Sequence, residues 1–422
     1  MATTRPIRPR EKVEATVFLP GSKSLTHRAL IAGALATGES IITNALVAED
    51  TRLTAQALQR LGAGLTWEGT TVRLTGTGGR FRPVAEPLHF GNSGTSHRFF
   101  TALVSLGEGE YCLTGTPRLC QRPVGELLAA LKLLGVKAVS QRGDGCPPVI
   151  ITGGLKGGRT RLSGQLSSQF LSALLLIGPL APLGVEVEIT GELVSRPYVD
   201  LTLEVMAAFG ISFFRRGYRY FQVPGGQTYQ PREYAVEGDA SSAAYFWAAA
   251  AVTGGRVTVA NLAVDSTQGD IDFLSVLARL GCHIESSPAG LTVTGGPMHG
   301  ITVDMSAMPD QVPTLAVVAA FAQGETRITG VPHLRHKESD RLAAVATELR
   351  KLGAEAEETP DGLRILGGRP LHGALIHTYD DHRIAMSFAV AGLRVPGVLI
   401  ADPDCVAKSF PEFWRHWETL EG

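Results

Sequence analysis

Lysines and arginines recur where this chain starts its helices. Lys23 and Arg28 lie in "GSKSLTHR", Arg98 in "GNSGTSHR" and Arg383 in "DDHR". Arg52, Arg122, Arg196, Lys337, Arg341 and Lys408 fall near the starts of further helical segments. A helix N-terminus exposes unpaired N–H groups and the positive end of the dipole, so it attracts anions and repels cations. Taken singly, each cation is better explained by a sideways pair with Glu49, Asp50 or Glu338. Recurrence in five of six repeats favours a shared site for phosphates or carboxylates.

Polar residues fit the same chemistry. Ser167, Ser168 and Gln169 in "LSSQ" offer hydroxyls and an amide to a phosphate, although at least one serine must cap a helix. Ser195 and Tyr198 in "SRPY" add hydroxyls, with Pro197 suited to a first helical position. A cap and a buried tyrosine explain them equally well. Asp310 in "PDQVP" reads first as a cap. Glu338 in "KESDR" stands between Lys337 and Arg341, where cations keep a carboxylate ionised. A plain i,i+3 pair accounts for it too. His382 in "DDHR" reads as well as a packed histidine. No metal cluster or catalytic triad emerges, and "GGRTRLSGQ" and "TGTGGRFRP" lack the Lys-Ser/Thr ending of a P-loop.

The elements that must position these residues repeat. A small polar residue, an Ala/Leu-rich helix, a glycine and a β-branched run recur from Ser22, Asn92, Ser167, Asp239, Asp310 and Asp381, at spacings of 70, 75, 72, 71 and 71. A second helix follows and ends at Gly62, Gly135, Gly210, Gly281 or Gly353, where glycine suits a left-handed cap. A hairpin closes each unit, giving βαβαββ. The sixth copy stops after its second helix, and residues 5–20 resemble its missing strands. The predicted architecture is α/β, with two domains of three units each: residues 21–236, and residues 1–20 plus 237–422.

Bulk properties exclude several classes. A net charge of −1 over 422 residues argues against a nucleic-acid binder. Five scattered cysteines without CxxC argue against a disulfide framework or zinc site and for a reducing cytoplasm. The N-terminus has no long apolar core of a secretory signal, and no plastid transit peptide is expected. The most apolar stretch, "FLSALLLIGPLAPLGV", is broken by Gly and Pro and reads as a buried helix and turn, not a membrane span. Self-closing domains suggest a monomer.

The motifs "LPGSKSLTHRAL", "GNSGTSHR", "SSQFLSALLL", "SRPYVDLTLEVM", "EGDASSAAYF", "PDQVPTLA", "KESDRLAAVATELRKLGA" and "DDHRIAMSFAVAGL", in this order, resemble the EPSP synthases, a family of enolpyruvyl transferases. The likeness runs from near residue 10 to near 418. It implies two inside-out α/β barrels of three βαβαββ units each, with the active site in the cleft between them. It implies transfer of the enolpyruvyl group of phosphoenolpyruvate to the 5-hydroxyl of shikimate 3-phosphate, with no metal or organic cofactor. Both substrates are small anions, which suits Lys23 and Arg28.

By resemblance, Lys23, Gly94, Arg122, Gln169, Arg341, Arg383 and Lys408 surround phosphoenolpyruvate. Lys23, Ser24, Arg28, Ser167, Ser168, Gln169, Ser195, Tyr198, Asp310, His333 and Lys337 hold shikimate 3-phosphate. Asp310 is the base for the hydroxyl, Glu338 the acid, and Lys23 assists proton transfer and phosphate departure. Many members read "LGNAGTAMRP" where this chain has Ser93, Ser96, His97 and Phe99, which bears on phosphoenolpyruvate mimics such as glyphosate. Many also have Asn in place of His333, which still offers a hydrogen bond. The sister transferase acting on UDP-N-acetylglucosamine usually has Asn after its N-terminal Lys, where this chain has Ser24. It also has a loop cysteine several residues before its "ARP", whereas Cys120 lies two residues before Arg122. A non-catalytic polyanion-binding scaffold would need the cations but not Asp310 and Glu338.

Overall fold

The computed structural model describes residues 3–421. Its α-helices are α1 (Lys23–Leu35), α2 (Glu49–Arg60), α3 (Gly94–Leu103), α4 (Gly125–Leu133), α5 (Ser168–Ile177), α6 (Pro197–Ala208), α7 (Ala240–Thr253), α8 (Phe273–Leu280), α9 (Val312–Phe321), α10 (Arg341–Lys351), α11 (His382–Gly392) and α12 (Phe413–Glu421). Odd-numbered helices open the repeats and are apolar almost all round. α11 is buried along its whole length, and α7 everywhere except Ser241. Such helices belong inside a core. Even-numbered helices carry a single apolar stripe. α8 buries Phe273, Leu274, Val276, Leu277 and Leu280 and leaves Arg279 exposed.

The sheets flank these helices. Leu88–His89 runs parallel to Glu110–Thr114, which pairs antiparallel with Val149–Thr152, whose other neighbour is Lys137–Ser140. This is strand, helix, parallel strand, helix and hairpin, the βαβαββ unit. Four further four-stranded sheets follow the same order. Two strands serve sheets that local sequence does not announce. Glu14–Val17 precedes α1 but runs parallel to Arg256–Val259, beyond α7. Glu233–Ala235 precedes α7 but runs parallel to Thr37–Thr43, beyond α1. Residues 5–20 therefore do not all complete the sixth repeat. Thr4–Pro6 does so, antiparallel to Leu399–Ala401, while Glu14–Val17 completes the fourth.

The chain divides into two compact units. One runs Gly21–Glu237; the other joins the segment through Pro20 to Gly238 and beyond. Each has its own apolar core. In the second, α12 packs Phe413 and Trp417 against Phe246 and Phe410.

Two backbone demands recur with the repeat and explain much of the glycine. Gly62, Gly135, Gly210, Gly281 and Gly353, after the second helices, hold φ between +82° and +120°, which side chains disfavour. At the hairpin ends, Gly76, Gly153, Gly225, Gly295 and Gly367 cross the C-terminal end of the repeat's first helix. A Cβ at any of them would lie 1.9–2.4 Å from a carbonyl oxygen there.

Ser22, Ser167, Asp239 and Asp381 cap their helices as their types suggest. In the second repeat the cap is Ser93, one residue past the expected Asn92. Asp310 is not a cap. It lies in a 3-10 turn, Pro309–Gln311, and α9 begins after it without a side-chain cap. Its carboxylate therefore does not serve as the cap of α9.

Candidate active site

The unit of Gly21–Glu237 presents buried cations at its helix starts. Lys23 is the first residue of α1, and its Nζ lies 3.4 Å from Oδ2 of Asp50 on α2. Arg28, one turn on, is almost wholly buried. Its Nε donates to Thr202 Oγ1 at 2.7 Å, Nη1 to Ser24 O at 2.9 Å and Nη2 to Tyr198 O at 2.8 Å. Its guanidinium carbon stands 5.3 Å from the Phe99 ring centre. No carboxylate among the described residues pairs with it. Burial lowers its pKa to about 10, against smaller opposing effects of Tyr198 and Tyr234. A buried guanidinium held by carbonyls, a hydroxyl and a ring is a seat for an anion.

Gly94 opens α3, and the Arg122 guanidinium lies against it. A Cβ at Gly94 would come within 2.6 Å of Arg122 Cζ. Arg98 Nη1 donates to Gln169 Oε1 at 2.8 Å and to Ser167 Oγ at 3.4 Å, and Gln169 Nε2 donates to Thr95 Oγ1 at 2.9 Å. Ser168 is buried at the start of α5. Ser195 is buried at φ +53°, and its carbonyl accepts from Tyr198 N–H. Two cations of the expected set do not join. Arg52 is exposed, and so is Arg196, whose guanidinium carbon stands 5.3 Å from the Tyr218 ring centre. A cation near a helix start has a long side chain, and here two of them turn outward.

The other unit gathers carboxylates and cations. Asp310 Oδ1 accepts from Arg341 Nη1 at 2.9 Å and lies 3.7 Å from Lys337 Nζ. Its Oδ2 accepts from Arg383 Nη2 at 2.7 Å. Arg341, first residue of α10, also donates from Nη2 to Glu338 Oε2 at 2.9 Å and from Nε to Asp381 Oδ2 at 2.8 Å. One guanidinium thus serves three carboxylates and is 1% exposed. Burial pulls its pKa down, but Asp381, Glu338 and Asp310 outweigh burial and raise it. Asp381 experiences the reverse. Burial would raise its carboxyl, and Arg341 holds it below the usual range.

Around this cluster, Arg383 Nη1 donates to Tyr245 Oη at 3.2 Å. Burial pushes that phenol up to about 12, against the neighbouring Arg383. Asp270 accepts from Gln311 Nε2 at 3.0 Å and from the Ser241 hydroxyl; burial, then Asp310, raises its carboxyl. His333 is buried, and neither ring nitrogen has a hydrogen-bond partner among the described residues. Burial, then Lys337, pushes its pKa down to about 3, so the ring is neutral near pH 7. Lys408 is buried at the end of a 3-10 turn, Pro403–Lys408.

Thr202, Tyr245 and Asp270 were not picked out from sequence. Thr202 had a usable signal, because it lies four residues after Tyr198 on the same helix face. All five cysteines are free thiols. Among the described residues, no group of His, Cys, Asp or Glu is arranged to hold a metal, and no helix is long and apolar enough to cross a membrane.

The chain matches the family described as EPSP synthase (3-phosphoshikimate 1-carboxyvinyltransferase) over residues 7–417. It belongs to the EPSP synthase family. A 3-phosphoshikimate 1-carboxyvinyltransferase of Syntrophobacter fumaroxidans is 47% identical over 418 residues, covering 98% of this chain and 99% of the relative. One of Methanosphaerula palustris is 49% identical over 408 residues, covering 96% of each. The solved EPSP synthase of Acinetobacter baumannii is 31% identical, with a TM-score of 0.81 over 99% of this chain and 98% of that one.

In this member of the EPSP synthase family the start of α3 joins a buried polar chain. Ser93 Oγ lies 2.8 Å from Ser96 Oγ, which lies 2.9 Å from Thr54 Oγ1, itself 2.8 Å from His27 Nδ1. The chain ties α3 to α2 and α1. His97 is wholly buried; burial, then Arg98 and Arg122, pushes its pKa down to about 3. Ser93, Ser96, His97 and Phe99 therefore add no charge beside Arg28, Arg98 and Arg122.

Proposed function

We propose that the chain transfers the enolpyruvyl group of phosphoenolpyruvate to the 5-hydroxyl of shikimate 3-phosphate, releasing phosphate. The observation that carries this reading is the Asp310–Arg341–Glu338 arrangement, in which two carboxylates share one buried guanidinium. Carboxyl groups fixed on a rigid cation suit proton transfer at set positions, with Asp310 entering ionised to take a proton and Glu338 entering protonated to give one. Asp310 takes the proton of the 5-hydroxyl as its oxygen attacks C2 of phosphoenolpyruvate. Glu338 gives a proton to the methylene carbon, which becomes a methyl group. The product is a tetrahedral ketal. Loss of a methyl proton to Glu338 re-forms the double bond as phosphate leaves, assisted by Lys23. Preformed cations stabilise the developing charge without reorganising.

In this reading Lys23, Gly94, Arg122, Gln169, Arg341, Arg383 and Lys408 hold phosphoenolpyruvate. Ser24, Arg28, Ser167, Ser168, Ser195, Tyr198 and Lys337 hold shikimate 3-phosphate, with Lys23, Gln169 and Asp310 in contact with it as well. His333, neutral and buried, supplies a hydrogen bond to a shikimate hydroxyl. We read the protein as a cytoplasmic monomer, in keeping with its free thiols.

The test is phosphate release with each substrate alone and with both, in the presence of a chelator. Release only with both, unchanged by chelation, is expected. Release with UDP-N-acetylglucosamine instead would move the activity to the sister transferase, and release with neither acceptor would leave a binding scaffold. Gly94→Ala checks the phosphoenolpyruvate assignment. Its Cβ must displace Arg122, and KM for phosphoenolpyruvate is expected to rise about tenfold, a loss of ~1.4 kcal/mol. An unchanged KM would remove Arg122 from that site.

A further inference from the structure

The turn before α11 is strained. Tyr379 and Asp380 both hold φ +55°, and neither is glycine. Non-glycine residues are disfavoured in this region, so two in succession persist only where neighbours hold them. The holder is Glu348 on α10, a fully buried carboxylate. Its Oε1 accepts the Tyr379 hydroxyl at 2.6 Å, and its Oε2 accepts the His377 N–H at 3.1 Å. Lys351 Nζ lies 2.8 Å from both oxygens and balances the charge. Tyr379 is 44% exposed, yet its hydroxyl reaches inward to a group with no exposure. Burial, then Glu348, pushes the phenol up to about 12, so it stays a donor at any working pH.

What the turn delivers is Asp381. Its carboxylate takes Arg341 Nε at 2.8 Å, Arg341 Nη2 at 3.2 Å and the Ser339 hydroxyl at 3.0 Å. It also accepts from the backbone N–H of Arg383 at 3.0 Å, as the cap of α11. Arg341 and Arg383 are the two guanidiniums on Asp310. Asp381 thus holds Arg341 by its guanidinium and Arg383 by its backbone, as the second residue of the helix it caps.

We propose that Glu348 and Tyr379 are a positioning pair for the reaction: they hold the strained turn at the place where Asp381 aims Arg341 and Arg383 at Asp310. The proposal rests on the role given to Asp310 above. Neither residue touches a substrate in that reading.

Tyr379→Phe removes one hydroxyl from a half-exposed ring. Losing a hydrogen bond to a charged group loosens the turn, and this is expected to reach the site as a roughly tenfold fall in kcat/KM for phosphoenolpyruvate. The discriminating variant adds Asp380→Gly to Tyr379→Phe. Glycine adopts φ +55° without strain, so the turn keeps only the strain of residue 379 and part of the lost kcat/KM is expected to return. Wild-type kinetics in Tyr379→Phe would overturn the proposal. So would a loss that the glycine fails to rescue while thermal stability recovers. If the wild-type protein turns over neither substrate pair, the functional reading has failed and the pair is judged by NMR. The Arg341 Nε–H, bonded to Asp381, is then expected to exchange with water about tenfold faster in Tyr379→Phe; an unchanged exchange rate would sink the proposal independently.

Discussion

Glu338→Gln is expected to lower turnover by about two to four orders of magnitude while both substrates still bind. The amide keeps nearly the shape of the carboxylate and an oxygen that accepts from Arg341 Nη2, now at 2.9 Å. It removes the ability to give and take a proton, together with the charge that pairs with Arg341. Steady-state phosphate release reads the first effect, and calorimetric titration of each substrate reads the second. Turnover within tenfold of wild type would take the acid role away from Glu338. Loss of binding as large as the loss of turnover would make Glu338 a binding residue instead.

Arg341→Met carries the largest expected cost in stability. Methionine fills much of the arginine stem but leaves Asp381, Glu338 and Asp310 without the cation they share. Breaking a buried pair from one side costs about 3–5 kcal/mol, because an uncompensated charge stays behind. The pH dependence has a definite sign. Asp381 is held below its ordinary range in the folded state. It therefore contributes stability that is fully present above about pH 4, the unfolded value, and is lost as pH falls through the folded one. Without Arg341, burial alone acts on Asp381 and its carboxyl moves up. The gap between variant and wild type is expected to be widest near pH 7 and to narrow toward pH 4 and below. Denaturant unfolding at the two pH values measures it. A gap under about 1 kcal/mol at pH 7 would mean the carboxylates are not dependent on this arginine. Arg341→Lys should fall between, since an ammonium cannot reach three carboxylates from one planar fork.

The repeat was legible because its punctuation is physical. Gly62, Gly135, Gly210, Gly281 and Gly353 recur where the backbone needs positive φ, and the polar starts recur where helices need caps. The clustered cations were legible for a related reason, since Lys23, Arg28, Arg341 and Arg383 stand where the dipole alone would exclude them. What local pattern does not encode is direction. Arg52 and Arg196 have the same type and place as Arg122 and Arg341, yet lie at the surface. Asp310 has the residue type of a cap, yet it lies in a 3-10 turn and its carboxylate meets Arg341 and Arg383. The strained Tyr379–Asp380 pair leaves no trace in the sequence, because the residue that holds it, Glu348, lies on another helix. Nor does a strand's own alternation say which sheet it will join, as Glu14–Val17 illustrates.

That exchange of strands has a consequence for synthesis. Glu14–Val17 is made early, and its partner Arg256–Val259 only after the whole of Gly21–Glu237. Leu19 and Asn261, hydrogen-bonded to each other, stand 242 positions apart in the chain. Pairing across such a separation is slow, because loop closure precedes any reward. On the ribosome, where domains fold as they emerge, the continuous unit can close as soon as Glu233–Ala235 reaches Thr37–Thr43. The leading strand must meanwhile wait as an unpaired edge. A strand made before the whole of Gly21–Glu237 is thus among the last to find its place.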